Sequence, residues 1–347
     1  MLTDHPARPA PDGATPRLFA WHQLGPHAWL AIGNGGNSVV LADGADVLLV
    51  DTKELGYGAA LRREAEDVVG RPVTCVVNTH HHTDHVFGNS AFTADVPVLA
   101  QCAAHDRTVA RAARALAEAA DAADAGGDPF AAQEADLRAW APYFGQVTTV
   151  AAVRDAFAAL VREAQAARRP GAAVSLEALA ARFAPTELFD SERELRVGRF
   201  TVELHHVGPG HTDNDAFLVV PEERLVIAGD LVYVGVHPYV DVSAGANTWS
   251  WQRSLDALDA ACARVARAGG SAAVVVPGHG PATDRAAVAG QRAYFDRIRA
   301  AVESAHREGR SRAEVTALAV PGLPTQRADV GAANLGAVYD ELRAAAR

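Results

Sequence analysis

The chain has 347 residues, 49% of them hydrophobic and 21% charged, the balance of an ordinary globular protein with room for one large domain or two smaller ones. Its net charge of −10 at pH 7 argues against nucleic acid or an anionic membrane as a partner, because both reward a basic face. No segment offers the ~20 consecutive apolar residues of a membrane-spanning helix.

Residues 1–17, "MLTDHPARPAPDGATPR", lack the apolar stretch of a secretory signal and read as a disordered, Pro-rich leader. A single domain is expected over 18–347. Cys75, Cys102 and Cys262 are widely spaced and form no C-x-x-C pair, so a reducing cytoplasm is expected, with all three as small buried hydrophobes. "HAWLAIG", "NSVVLADG" and "DVLLVDT" predict three strands of a meander, separated by Gly/Asn and Asp-Gly turns. The spacing in "GYGAALRREAEDVVG" predicts a helix, and "PVTCVVNT" a fully buried strand. That strand runs into "VVNTHHHTDHVFGN", which places a histidine cluster at a strand's C-terminal end, where α/β folds build their sites.

Residues 101–185 are Ala-rich and predict a helical insertion of about four segments, a lid or substrate cap. Val153, Phe157, Leu160, Val161 and Ala164 form one apolar helical face within it. Trp140, Tyr143 and Phe144 are expected to pack the insertion onto the main domain, with a wall for a bulky substrate as the alternative. Strands resume at "RELRVGRFTVELHHVG", "DAFLVVPEE", "RLVIAGD" and "SAAVVVPGHG". The amphipathic helix "TWSWQRSLDALDAACARVARAG" separates the last two, and a helical extension fills 286–347. His206 shares a strand face with Val202 and Leu204 and is expected to be a buried structural histidine.

Histidine and aspartate cost free energy to bury without a partner, so an apolar run leading into four histidines and an aspartate points to a metal. The pattern H-x-H-x-D-H fits one register, His80, His82, Asp84 and His85, since a start at His81 would demand a ligand at Thr83. In extended chain His80 and His82 point the same way. A zinc site wants at least three protein ligands, so others must come from elsewhere. His211 in "GPGHTDND", Asp230 in "VIAGD" and His279 in "VVVPGHG" each follow an apolar run beside glycine. No G-x-S-x-G elbow supplies a serine nucleophile, and "GNGGN" reads as a hairpin turn.

The set "THHHTDH", "GPGHTDND", "IAGD" and "PGHG" resembles the metallo-β-lactamase superfamily over roughly residues 18–300. The resemblance implies an α/β fold, an αβ/βα sandwich with the metals at one edge. It implies two Zn2+ ions per chain, one on His80, His82 and His211 and the other on Asp84, His85 and His279, with Asp230 bridging. A water activated by the two ions would attack a carbonyl, with Asp84 both ligand and proton shuttle. Asp51 matches the family's hydrogen-bond partner behind a ligating histidine, and reads equally as a strand-end cap. Tyr233, His237 and Tyr239 follow the bridging aspartate, within reach of a pocket mouth.

Asp230 in the bridging position resembles glyoxalase II, lactonases and quinoprotein-relay-like hydrolases. The best-known lactamases carry a cysteine there and a later lysine for the drug's carboxylate, whereas this chain has no lysine after Lys53. The leading expectation is a dinuclear hydrolase of a small ester, lactone or thioester. A carrier-bound acyl chain is a further substrate, for which Arg107, Arg111 and Arg114 would offer a face. The alternative is a persulfide dioxygenase-like oxidoreductase with one iron on His80, His211 and Asp230. β-Lactamase and nuclease are weaker alternatives.

Overall fold

The computed structural model describes residues 17–345, so the expected leader, Arg17 aside, lies outside the described residues. The chain divides into two compact units, Met1–Glu203 and Leu204–Arg347.

The first unit opens with the antiparallel strands β1 (Ala20–Gly25), β2 (Ala28–Ile32), β3 (Ser38–Asp43) and β4 (Asp46–Val50). The β3–β4 hairpin closes over two residues, and Gly44 takes the positive φ, +58°, that such a tight turn requires. The chain then changes mode. α1 (Gly58–Val69) carries it across to β5 (Cys75–Val77), which pairs parallel with β4, and after α2 (Thr83–Val86) strand β6 (Val98–Gln101) pairs parallel with β5. Five helices follow: α3 (Ala104–Asp124), α4 (Pro129–Ala139), α5 (Ala141–Phe144), α6 (Ala151–Ala167) and α7 (Leu176–Ala180). β7 (Glu187–Phe189) then completes a seven-stranded sheet in sequence order.

Helix α6 buries Val153, Phe157, Val161 and Ala164, four of the five residues on the predicted face, with Leu160 half-buried beside them. They join one apolar cluster with Ala112, Leu116 and Ala120 of α3 and with Leu49 and Val76 of the sheet. Asp128 caps α4 with Pro129 in its first turn. Trp140 rests on Tyr143 edge to face, centroids 5.2 Å apart, and Tyr143 is buried.

β8 (Glu192–Val197) and β9 (Phe200–His205) enter a second sheet, of five strands in the order β12-β11-β10-β9-β8. The second unit begins within β9 and continues through β10 (Phe217–Val220), β11 (Leu225–Gly229), α8 (Thr248–Gly269), β12 (Val274–Pro277), α9 (Arg285–Arg307), α10 (Arg312–Thr316) and α11 (Ala328–Ala345). β10 and β11 are antiparallel, whereas α8 makes the crossover that lets β12 pair parallel with β11. The buried face of α8 is Trp251, Leu255, Leu258, Cys262 and Val265, the 3.6-residue stripe expected of a helix on a sheet.

No helix among the described residues is long and apolar enough to cross a membrane. The cysteine expectation needs correcting: only Cys262 is buried, Cys75 is half-buried and Cys102 is exposed. Cys102 stands just past the end of β6, in the turn that leads into α3.

Candidate metal centre

Parallel pairing builds the first unit's cluster of candidate ligands. Val50 of β4 is registered with Val77 of β5, so Asp51, just past one strand, lies beside Thr79 and His80 just past the other. Asp51 is 2% exposed and accepts three hydrogen bonds: from Thr79 N–H at 2.8 Å, Thr79 Oγ–H at 2.7 Å and His85 Nδ1–H at 2.7 Å. Since the Thr79 hydroxyl spends its proton on Asp51, its oxygen accepts from His80 Nδ1, 3.1 Å away. One carboxylate therefore fixes the ring orientation of two histidines. Asp51 adopts left-handed backbone, φ +61°, a conformation aspartate tolerates better than most residues.

His80, His82, Asp84 and His85 are all buried. Ligand atoms of His80 and His82 lie within 4.8 Å of each other, as do those of Asp84 and His85. His82 is extended, φ −68° and ψ 150°, and α2 starts immediately after it, turning Asp84 and His85 away from the strand direction. Asp84 Oδ2 and His85 Nε2 stand 3.3 Å apart. The "GNGGN" turn presses on this short helix from behind. Gly36 N–H donates to the Asp84 carbonyl at 3.2 Å, and a Cβ on Gly36 would come within 2.3 Å of the His85 ring. That role went unread in the sequence, where paired glycines beside a strand end were the available signal.

Two charged neighbours were also missed. Lys53 is fully buried, and its Nζ donates to the carbonyls of Ala31 at 2.9 Å and Gly36 at 2.5 Å. Burial pulls its pKa down to about 7, against the carboxylates of Asp51, Asp84 and Glu64. Glu54 accepts from Thr83 Oγ–H at 2.7 Å, and burial, then the nearby Asp84, pushes its pKa up to about 7.

The second unit repeats the construction. Gly229 of β11 is registered with Pro277 of β12, so Asp230 meets Gly278 and His279 at adjacent parallel strand ends. Gly278 N–H donates to the Gly229 carbonyl at 2.7 Å, and a Cβ on Gly278 would collide with Asp230 Oδ1. Only glycine permits that approach. Asp230 Oδ2 lies 3.2 Å from His279 Nε2 and 3.5 Å from His211 Nε2. His211 sits at 0% exposure with its Nδ1–H on the Tyr239 carbonyl at 2.6 Å.

Around these, Tyr233 donates its hydroxyl proton to Asp230 Oδ2 and stacks on the His279 ring, centroids 5.8 Å apart. His237 is buried, with Nδ1 2.8 Å from the Tyr294 hydroxyl. Tyr239 is 36% exposed and serves His211 through its backbone. His206 is half-buried and bonded through Nδ1 to the Asp215 carbonyl at 2.7 Å. Asp215 takes the N–H and hydroxyl of Thr212 at 2.9 and 2.7 Å, and burial raises its pKa.

The donor sets fit divalent metal. In His80, His85 and His211 the Nδ1 is engaged by a hydroxyl, a carboxylate and a carbonyl respectively, so each neutral ring presents Nε2 as donor. In His85, His211 and His279 that Nε2 faces a carboxylate oxygen at 3.2 to 3.5 Å, the spacing of two ligands meant for one small cation.

No curated protein matches the chain. Among solved structures, the DIM-1 metallo-beta-lactamase superposes with a TM-score of 0.51 at 14% identity, over 82% of this chain and 99% of that one. A metallo-beta-lactamase from Pontibacter korlensis gives 0.49 at 16% identity, over 80% and 99%. The family model described as the metallo-beta-lactamase superfamily matches residues 31–279, which takes in all seven candidate ligands. With that match and the α/β fold of two sheets, the chain belongs to the metallo-beta-lactamase superfamily.

Proposed function

We propose that the protein is a dinuclear metal-dependent hydrolase that cleaves a small ester, lactone or thioester. The observation that carries this reading is the set of the histidine rings: the Nδ1 atoms of His80, His85 and His211 are held from behind, and the Nε2 atoms of His85, His211 and His279 face carboxylate oxygens. His80, His82, His211 and Asp230 would hold one ion, and Asp84, His85 and His279 the other. The single oxygen Asp230 Oδ2, near both His211 and His279, suits a shared ligand.

Bound there, two divalent ions supply Lewis-acid activation of a water and of the scissile carbonyl. The chain's own residues do the rest. Asp84 accepts the proton that the attacking water loses and returns it to the leaving oxygen or sulfur. Asp51 holds His80 and His85 in the ligating tautomer, and Tyr233 keeps Asp230 in its orientation through its hydroxyl. A reducing cytoplasm remains the compartment that fits three free cysteines.

Metal analysis by mass spectrometry of protein prepared without added metal tests the reading. Near two zinc per chain is expected, and one iron with little zinc would overturn it. With a panel of esters, lactones and thioesters, Asp84→Asn should lower kcat at least ~100-fold, the usual reach of a positioned acid–base group. Equal activity in variant and parent would remove the proposed mechanism.

A further inference from the structure

The family match ends at residue 279, yet the helices beyond it reach back to the segment that fixes His211. That segment, residues 231–241, contains no helix or strand. It supplies the Tyr239 carbonyl for His211 Nδ1–H, and Asp241 N–H donates to the His211 carbonyl at 3.3 Å. A backbone acceptor on irregular chain orients a ring only as well as the chain itself is held.

Helices α9 and α11 hold it. Asn334 of α11, 1% exposed, donates through Nδ2 to the Pro238 carbonyl at 2.7 Å and to the Tyr294 hydroxyl of α9 at 3.0 Å. An amide nitrogen has two protons, and both are used. Having accepted one, the Tyr294 hydroxyl turns its own proton to His237 Nδ1 at 2.8 Å. The other side of that ring bonds to the Pro324 backbone, and burial lowers the ring's pKa, so it stays neutral with one proton for Pro324. Gly331 of α11 makes the contact possible, because a Cβ there would lie 2.5 Å from the His237 ring. The helix thus rests directly on the imidazole.

We propose that the C-terminal helices clamp the metal centre, with Asn334 and Tyr294 as positioning residues that act on His211 through the backbone of residues 237–239. The inference rests on the proposed metal centre. Asn334 holds the Pro238 carbonyl and Tyr294 the His237 ring, the two residues that lead into the Tyr239 carbonyl on which His211 rests.

The test is the zinc dissociation constant of the full chain, measured by competition with a chromophoric chelator. Four proteins are compared: the parent, Asn334→Asp, Tyr294→Phe and Val338→Ala. Asn334→Asp keeps the shape and removes the donor, while Val338→Ala thins a fully buried position on the same helix. Asn334→Asp and Tyr294→Phe should each weaken the ion held by His211 by ~10-fold, as outer partners of ligating histidines do. Both should also shift the visible absorption of the cobalt-loaded protein, whereas Val338→Ala should lower the melting temperature and leave zinc affinity alone. Parental affinity in Asn334→Asp, or an equal loss in Val338→Ala, would overturn the clamp. Should Asn334→Asp fail to fold, Tyr294→Phe, lacking one hydroxyl, decides alone. A parent that bound no zinc would bring down the metal-centre reading itself, and the clamp with it.

Discussion

Asp51 does three jobs with one carboxylate: it receives the Thr79 N–H and hydroxyl and the His85 ring, and through Thr79 it orients His80. Asn at this position keeps one acceptor oxygen and replaces the other with a donor, which would face the Thr79 hydroxyl and His85 Nδ1–H. Loss of a partner behind ligating histidines costs about 10–100-fold in metal affinity. Asp51→Asn is therefore expected to weaken zinc by an amount in that range, measured against a chelator, while far-ultraviolet circular dichroism stays at the parental level.

The elements show why some of this could be read in advance. The ligand motifs were legible because each sits where a long apolar run stops: "PVTCVVNT" before His80, "VIAGD" at Asp230 and "VVVPGHG" at His279. The three meander strands were legible from their apolar runs and turns. β1 was not, for its only buried residue is Trp21 and the rest of "AWHQLG" is exposed or half-buried. β6 and β7, at four and three residues, are too short to display a period. Thr79, Tyr294 and Asn334 were invisible because their importance comes from what the fold sets beside them. Glycine at the parallel strand ends is the element-level feature most open to test. A Cβ at Gly278 has no room beside Asp230 Oδ1, so Gly278→Ala is expected to cost about 1–3 kcal/mol, the usual toll of overpacking. Urea denaturation of the metal-free protein measures it. Loss of zinc at Asp230 should accompany it in the chelator assay.

For the molecule as a whole, a buried lysine and a half-buried glutamate predict an unusual stability profile. Glu54 titrates near 7 in the folded chain against a model value of 4.5. The folded state holds that proton more tightly, so the stability it contributes at low pH is lost as pH rises from 4.5 to about 7. Lys53 titrates near 7 folded against 10.5. There the unfolded state holds the proton more tightly, so the cost of a buried ammonium is full below about 7 and fades as pH rises toward 10.5. Together they place a minimum near neutrality in the metal-free protein. Urea midpoints should fall from pH ~5 to ~7 and rise again by ~9, with Glu54→Gln flattening the first limb and Lys53→Met the second. A parental second limb in Lys53→Met would show that the amine is not its source.

The same lysine leaves a mark on the surface by its absence there. It is the only lysine in the sequence, and it lies wholly inside the first unit beneath the "GNGGN" turn. Every other basic side chain apart from histidine is a guanidinium, which does not form amides with activated esters as an amine does. The folded protein therefore shows no ε-amino group to a succinimidyl ester or an aldehyde cross-linker. Acylation of Lys53, followed by mass, becomes a clock for the opening of the turn that braces Asp84 and His85.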